Sequence, residues 1–92
     1  MEIPKDTPTQ IKKLIAKARR ASSKCVWGSY PMAPSIGLND EEIEMHREPA
    51  GIYYQVSEYF RMVGNTKLWF HFNKCHDQHC LVVNRNGNYY RG

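Results

Sequence analysis

The chain has 92 residues, with 13 Lys plus Arg against 9 Asp plus Glu and a formal net charge of +4. This length predicts one domain spanning residues 1–92, which buries only about 60–65% of its unfolded surface and leaves little room for a deep substrate cleft. The positive balance favours an acidic partner, such as nucleic acid or an acidic protein face. We therefore expect a binding protein and not an enzyme, with no small-molecule substrate.

The sequence predicts no membrane-spanning segment and no signal peptide. No apolar run approaches the roughly 18–20 residues that a membrane helix needs, and the polar N-terminus lacks the apolar centre of a signal peptide. We expect a cytoplasmic protein with no membrane partner. Three cysteines, Cys25, Cys75 and Cys80, are an odd number, and a reducing compartment argues against a disulfide framework.

The first predicted element is a basic amphipathic helix. Thr7-Pro8-Thr9-Gln10 has the pattern of a capping box with proline at the first helical position. An apolar stripe follows at helical spacing: Ile11, Leu14, Ile15 and Ala18. Six cations fall on the opposite arc: Lys12, Lys13, Lys17, Arg19, Arg20 and Lys24. No acidic residue lies between Thr7 and Asn39. Such a face is either simply solvated or a phosphate-binding surface, and our site prediction takes the second interpretation.

Residues 25–38 form a connector rich in Pro, Gly and Ser. A long connector in a small domain is either functional or held by its own side chains. Its large side chains either pack on the core or anchor an interface: Trp27, Tyr30, Met32 and Ile36. Residues 25–30 also fit an edge strand.

A second helix is predicted after this connector. Asn39 is its expected cap, and Glu42 is placed to complete a capping box from the third position. Pro49 and Gly51 are expected to end this helix after about two turns.

The remaining sequence predicts mainly strands. Residues 51–63 fit a strand or a helix, and their β-branched and aromatic content favours a strand. Leu68, Phe70 and Phe72 alternate with polar or aromatic neighbours, and residues 81–83 are a further strand candidate. Asn86-Gly87 is a strong hairpin signal. The predicted fold class is therefore α+β, an antiparallel sheet of about four strands with two helices on one face.

Thiol and imidazole groups are concentrated late in the chain. Five lie within ten residues: His71, Cys75, His76, His79 and Cys80. These are zinc's preferred ligands, but there is no Cys-x-x-Cys pair, and structural zinc usually draws ligand pairs from two separate elements. We therefore name no metal ligand and no cofactor. A zinc-stabilised nucleic-acid-binding module, centred on a loop from Cys75 to Cys80, remains the alternative.

No catalytic residue is predicted. Cys25 with His46, or Cys75 with His79, supplies the residue types of a nucleophile and a base, but neither pair has a recognisable local signature. At the C-terminus the hairpin register places Tyr89 and Arg91 on one face, as an exposed pair suited to stacking on nucleic acid. The predicted partner-binding site thus contains Lys12, Lys13, Lys17, Arg19, Arg20, Lys24, Arg85, Tyr89 and Arg91.

Three features of the full chain belong together: the opening MEIPKDTPTQIKKLIAKARR, the lack of an enzyme motif, and an aromatic, sheet-like remainder. In this overall character the chain resembles the small single-domain phage proteins that inhibit CRISPR surveillance complexes, particularly type I-F. This family shares no signature motif. The resemblance implies a stoichiometric inhibitor in the host bacterial cytoplasm that docks on Cas protein subunits near the guide RNA and blocks recognition of target DNA. Many such inhibitors are acidic DNA mimics, whereas this chain is basic, which favours contact with RNA or an acidic protein surface.

Overall fold

The computed structural model describes residues 2–28 and 35–85. Four helices account for most of these residues: α1 (Thr9–Ser23), α2 (Asp40–Glu44), α3 (Arg47–Met62) and α4 (Thr66–Arg85). Within the two described ranges there is no β-strand. The prediction of an α+β fold with a four-stranded sheet is therefore wrong, and so is the predicted edge strand where residues 25–28 are concerned. None of the described helices is long and apolar enough to cross a bilayer.

Helix α1 confirms the predicted amphipathic helix but begins differently. The N-cap residue is Pro8, which makes no side-chain capping bond. The predicted capping box fails because Thr7 is buried in a preceding turn, where its N–H donates to the carbonyl of Pro4 at 3.1 Å. Ile15 and Ala18 are buried, as the predicted apolar stripe requires.

Helix α2 begins with the predicted capping box. The Asn39 side chain accepts from the Glu42 N–H at 2.8 Å, and the Glu42 carboxylate accepts from the Asn39 N–H at 2.9 Å. The helix ends after five residues, however, and Pro49 lies in the first turn of α3. Proline is tolerated there because the N–H groups of a first turn have no partner within the helix. Pro49 and Gly51 therefore belong to a new helix and do not stop the old one.

Residues 51–63 are helical, so the favoured strand interpretation is wrong. Ile52, Val56 and Phe60 are buried at four-residue intervals, which places them on one face of α3. The predicted strand at residues 67–73 is also helical. Leu68 and Phe72 are buried, whereas Phe70 between them is 57% exposed, as expected for a helix and not for an alternating strand.

A three-residue link, Val63 to Asn65, joins α3 to α4. The Gly64 N–H donates to the Arg61 carbonyl and the Asn65 N–H donates to the Phe60 carbonyl, which is the Schellman pattern of a helix end. Gly64 has φ +79°, a conformation that glycine adopts without strain. The Asn65 side chain then accepts from the Leu68 N–H at 3.1 Å and caps α4. Helices α3 and α4 thus form a helical hairpin.

The core lies between α1, α3 and α4. It contains Ile15, Ala18, Ile52, Tyr53, Val56, Phe60, Leu68 and Phe72. The rings of Phe60 and Phe72 are stacked across the hairpin, with centroids 5.7 Å apart. Helix α3 makes the main contacts with both α4 and α1, so it is the central element of the fold.

Candidate functional site

The six predicted cations, five on α1 and Lys24 at its C-cap, are all exposed and fall into two groups. At 100° per residue, four of them follow one flank of the helix. We call this set the basic flank: Lys13, Lys17, Arg20 and Lys24. Lys12 and Arg19 lie about 120° further around the exposed side of the helix. The predicted cation cluster therefore consists of a group of four and a group of two.

Acidic residues from α2 and α3 adjoin the basic flank. A groove of about 440 Å³ is lined by Lys17, Arg20 and Lys24 on one side and by Glu44 and Glu48 on the other. Within residues 2–28 and 35–85, Lys17 is the only cation of α1 with a carboxylate oxygen within 4.0 Å, that of Glu48 at 4.0 Å. Both side chains are more than half exposed, and such pairs contribute little to stability.

Glu44 is occupied by a different cation. The Arg47 guanidinium donates to both oxygens of the Glu44 carboxylate, and these hydrogen bonds hold the pKa of Glu44 below its usual range. The charge of Glu44 is therefore directed mainly at its own neighbour. Most of the positive charge on the basic flank is available to an external anion.

Of the predicted C-terminal site residues, only Arg85 lies within the described part of the chain. Arg85 is the last residue of α4, so the strand predicted at residues 81–83 is instead helical. Tyr89 and Arg91, together with the predicted Asn86-Gly87 hairpin, lie outside the described residues.

The late His and Cys residues all lie on α4, so the predicted loop from Cys75 to Cys80 is wrong. The helix points them in different directions. His76 contacts the carbonyl of Ala50 through Nδ1 at 2.9 Å, and the Cys80 sulfur lies 3.5 Å from His76 Nε2. His71 is half-buried, and burial together with the positive charge of Arg19 lowers its pKa.

Among the described residues, only His79 of this group joins a cluster of possible metal ligands from other parts of the chain. Its ring meets Cys25, from the segment after α1, and His46, from the junction of α2 and α3. One ligand atom from each of the three side chains lies within 4.8 Å of the other two. His46 and His79 are 0% and 2% exposed. The Trp27 ring covers both imidazoles, with ring centroids 4.6 and 4.8 Å from theirs.

Hydrogen bonds place the protons in this cluster when both rings are neutral. His46 Nε2 lies 2.8 Å from the Val26 carbonyl, which can only accept, so this nitrogen carries the proton. His46 Nδ1 is then a lone pair, and His79 Nδ1 donates to it at 2.8 Å. His79 Nε2 in turn accepts from the Ser22 hydroxyl at 2.9 Å. The four groups form a continuous chain from α1 to the backbone of the connector.

The order Ser22, His79, His46 resembles that of a nucleophile, a base and an orienting group. Two features argue against hydrolysis. Burial, followed by the charges of His46 and His76, lowers the pKa of His79 to about 4, so it is a weak base at neutral pH. Ser22 also lies in the last turn of α1, where carbonyls and not N–H groups are free, so the helix offers no oxyanion hole.

The geometry also gives no support to Cys25 and His46 as a nucleophile and a base, in keeping with the lack of a local signature for that pair. The Cys25 thiol faces the carbonyls of Ala21 and Met45 at 3.4 and 3.5 Å. Burial raises the pKa of this thiol, and a protonated thiol is a poor nucleophile. The cluster therefore consists of one sulfur donor and two imidazole nitrogen donors, and it is mostly buried.

Comparison with models of protein families, with curated proteins and with solved structures finds no match to this chain.

Proposed function

We propose that this chain is a small non-enzymatic binding protein that docks on a ribonucleoprotein through the basic flank of α1 and acts by occupying its surface. The observation that supports the proposal is the basic flank itself, four exposed cations of which only Lys17 has a carboxylate within ion-pair distance among the described residues. Cations that contact phosphates release condensed counterions, which supplies sequence-independent affinity.

The dimensions of the basic flank suit a nucleic-acid backbone. Lys13 and Lys24 are eleven residues apart on α1, which at 1.5 Å per residue corresponds to about 16 Å along the helix axis. A stripe of this length reaches several consecutive phosphates. The helix is held in place by Ile15 and Ala18 in the core, so its exposed side presents the cations on a rigid support.

The narrower form of the proposal names the partner. The resemblance to phage inhibitors implies Cas protein subunits and guide RNA of a type I surveillance complex, with loss of target-DNA recognition as the effect. The described part of the chain has helices in place of the expected aromatic sheet, so this resemblance now rests on the opening sequence and the lack of an enzyme motif. The ribonucleoprotein partner is the broader proposal and does not depend on it.

A charge-removal series tests the proposal. The variant Lys13→Gln, Lys17→Gln, Arg20→Gln removes three charges from the basic flank. We would measure its binding to purified type I-F surveillance complex and to a labelled single-stranded RNA, between 50 and 200 mM salt. We expect at least a tenfold loss of affinity and a salt slope smaller by about 2, since each lost contact to a single strand contributes about 0.7.

A second triple variant controls for net charge. Lys5→Gln, Lys67→Gln, Lys74→Gln removes the same charge from exposed positions outside α1. Equal losses in the two triple variants would show that only net charge matters and would overturn the docking surface. If the chain binds free RNA as tightly as it binds the complex, the proposal of an inhibitor is wrong and the chain is a general nucleic-acid-binding module. No binding of the unmodified chain to either partner would overturn both.

A further inference from the structure

Three donor side chains from three separate segments converge beneath Trp27. Cys25 follows α1, His46 lies between α2 and α3, and His79 lies on α4. Their ligand atoms are within 4.8 Å of one another. A thiolate and two imidazole nitrogens are a donor set that zinc prefers. We propose that Cys25, His46 and His79 bind a zinc ion, with water in the fourth position.

The outer hydrogen bonds of the two histidines support this assignment. A histidine that binds a metal through one ring nitrogen usually donates from the other nitrogen to a fixed acceptor. His46 Nε2 already faces the Val26 carbonyl at 2.8 Å, and His79 Nε2 faces the Ser22 hydroxyl at 2.9 Å. Both Nδ1 atoms are thereby directed at each other. Once the His79 proton has left Nδ1, an ion beside the two atoms would meet a lone pair from each ring.

Zinc binding requires a small and balanced rearrangement of protons. The His79 proton moves from Nδ1 to Nε2, and the Ser22 hydroxyl turns from donor to acceptor. The Cys25 thiol releases its proton to solvent as the sulfur–zinc bond forms. No other co-reactant is needed, because zinc changes neither its own oxidation state nor that of the sulfur.

The geometry needs only a local adjustment. The two Nδ1 atoms are 2.8 Å apart. Tetrahedral zinc with bonds of about 2.0–2.1 Å holds its nitrogens about 3.4 Å apart, so the rings separate by about 0.6 Å and tilt until both lone pairs meet the ion beside the line that joins them. Cys25 lies on an irregular segment, where such a shift is easier than within a helix.

The cluster supplies three protein ligands, which leaves one position of a tetrahedral zinc ion to water. A pocket of about 270 Å³ adjoins His79, but neither Cys25 nor His46, and is lined by Trp27, Tyr53 and Gln78 among others. Cys75 also lines this pocket, but it does not belong to the three-residue cluster.

The test uses the full chain, stripped with EDTA and then titrated with Co²⁺ and Zn²⁺. We expect one equivalent of metal per chain, a sulfur-to-cobalt charge-transfer band in the near ultraviolet, and a higher melting temperature with Zn²⁺. Cys25→Ser should abolish the charge-transfer band and lower Zn²⁺ affinity at least tenfold. Because Cys25 is only half-buried, this variant is the one expected to keep its fold.

A matched control comes from the other thiol–imidazole pair on α4. His76→Gln, Cys80→Ser removes the same residue types, and the metal titration should be unchanged. Loss of binding in this control, with Cys25→Ser unaffected, would move the metal to the Cys75–Cys80 segment and overturn the assignment. Failure of the unmodified chain to bind one equivalent of Zn²⁺ or Co²⁺ would show that the buried histidines are only a hydrogen-bonded pair.

Discussion

The same substitution at two glycines is predicted to change stability in opposite directions. Gly51 lies in α3 and Gly64 follows its end. A β-carbon at either position would meet no other atom within 4 Å. Packing therefore contributes equally little to Gly51→Ala and Gly64→Ala, and the backbone conformation decides the sign of each effect.

The magnitudes follow from those conformations. In a helix interior glycine is about 1 kcal/mol less favourable than alanine, so Gly51→Ala should raise the free energy of unfolding by about that amount. Gly64 has φ +79°, where an alanine costs about 1–2 kcal/mol. The lower entropy of the unfolded alanine chain offsets part of this cost, which leaves Gly64→Ala destabilised by about 1 kcal/mol.

Thermal unfolding followed by far-UV circular dichroism measures the difference. A domain of this size shifts its melting temperature by about 4–8 °C per kcal/mol, so the two variants should differ by about 8–16 °C. Urea unfolding at 25 °C provides an independent value, and the double variant should be close to the unmodified chain. A shift of both variants in the same direction would refute the reasoning, and a destabilising Gly51→Ala would place residue 51 outside a helix.

Three further predictions concern a cap, the core and a titration. Asn39→Ala removes the cap of α2 and should lower the free energy of urea unfolding by about 1 kcal/mol; no change would mean that the capping box is not formed in solution. Phe72→Ala should lower the free energy of unfolding by about 3–5 kcal/mol because Phe72 is 1% exposed. Phe70 is 57% exposed, so Phe70→Ala should change it by no more than about 0.5 kcal/mol. Equal losses in the two variants would contradict the orientation of α4. By NMR, the pKa of His71 should lie below its ordinary value, and Arg19→Gln should raise it because this change removes a repelling positive charge. An unchanged His71 pKa in Arg19→Gln would show that the charge of Arg19 does not act on His71.

The parts of the fold that the sequence predicts correctly depend on local signals. The apolar stripe of α1 and the Asn39 capping box each involve residues within a few positions of one another. The errors lie in α3 and α4, for which the sequence favours strands. The buried face of α4 has spacings of four, seven and three residues through Leu68, Phe72, His79 and Val82. Leu68, Phe70 and Phe72 alternate as in a strand over this short stretch. The helical period becomes visible only when His79 is counted as part of the buried face.

The candidate metal site was missed for a different physical reason. Five of the His and Cys residues are close in sequence, within residues 71–80, and this stretch dominates the sequence pattern. On a helix such neighbours diverge, and His76 and His79 make contacts with different segments. Cys25 and His46 reach His79 only through the packing of α1, α3 and α4. No local sequence pattern encodes the approach of Cys25 and His46 to His79. Only their residue types, a thiol and an imidazole, indicate a possible site.

The three-residue link between α3 and α4 has a consequence for how the chain folds. Contacts between neighbouring helices joined by a short link close small loops, and small loops form fast. The α3–α4 hairpin should therefore assemble first, within microseconds to milliseconds, as a template on which α1 docks afterwards. Amide exchange should be slowest in the hairpin and faster in α1, so the helix with the most cations is also the one that detaches most readily from the rest of the protein.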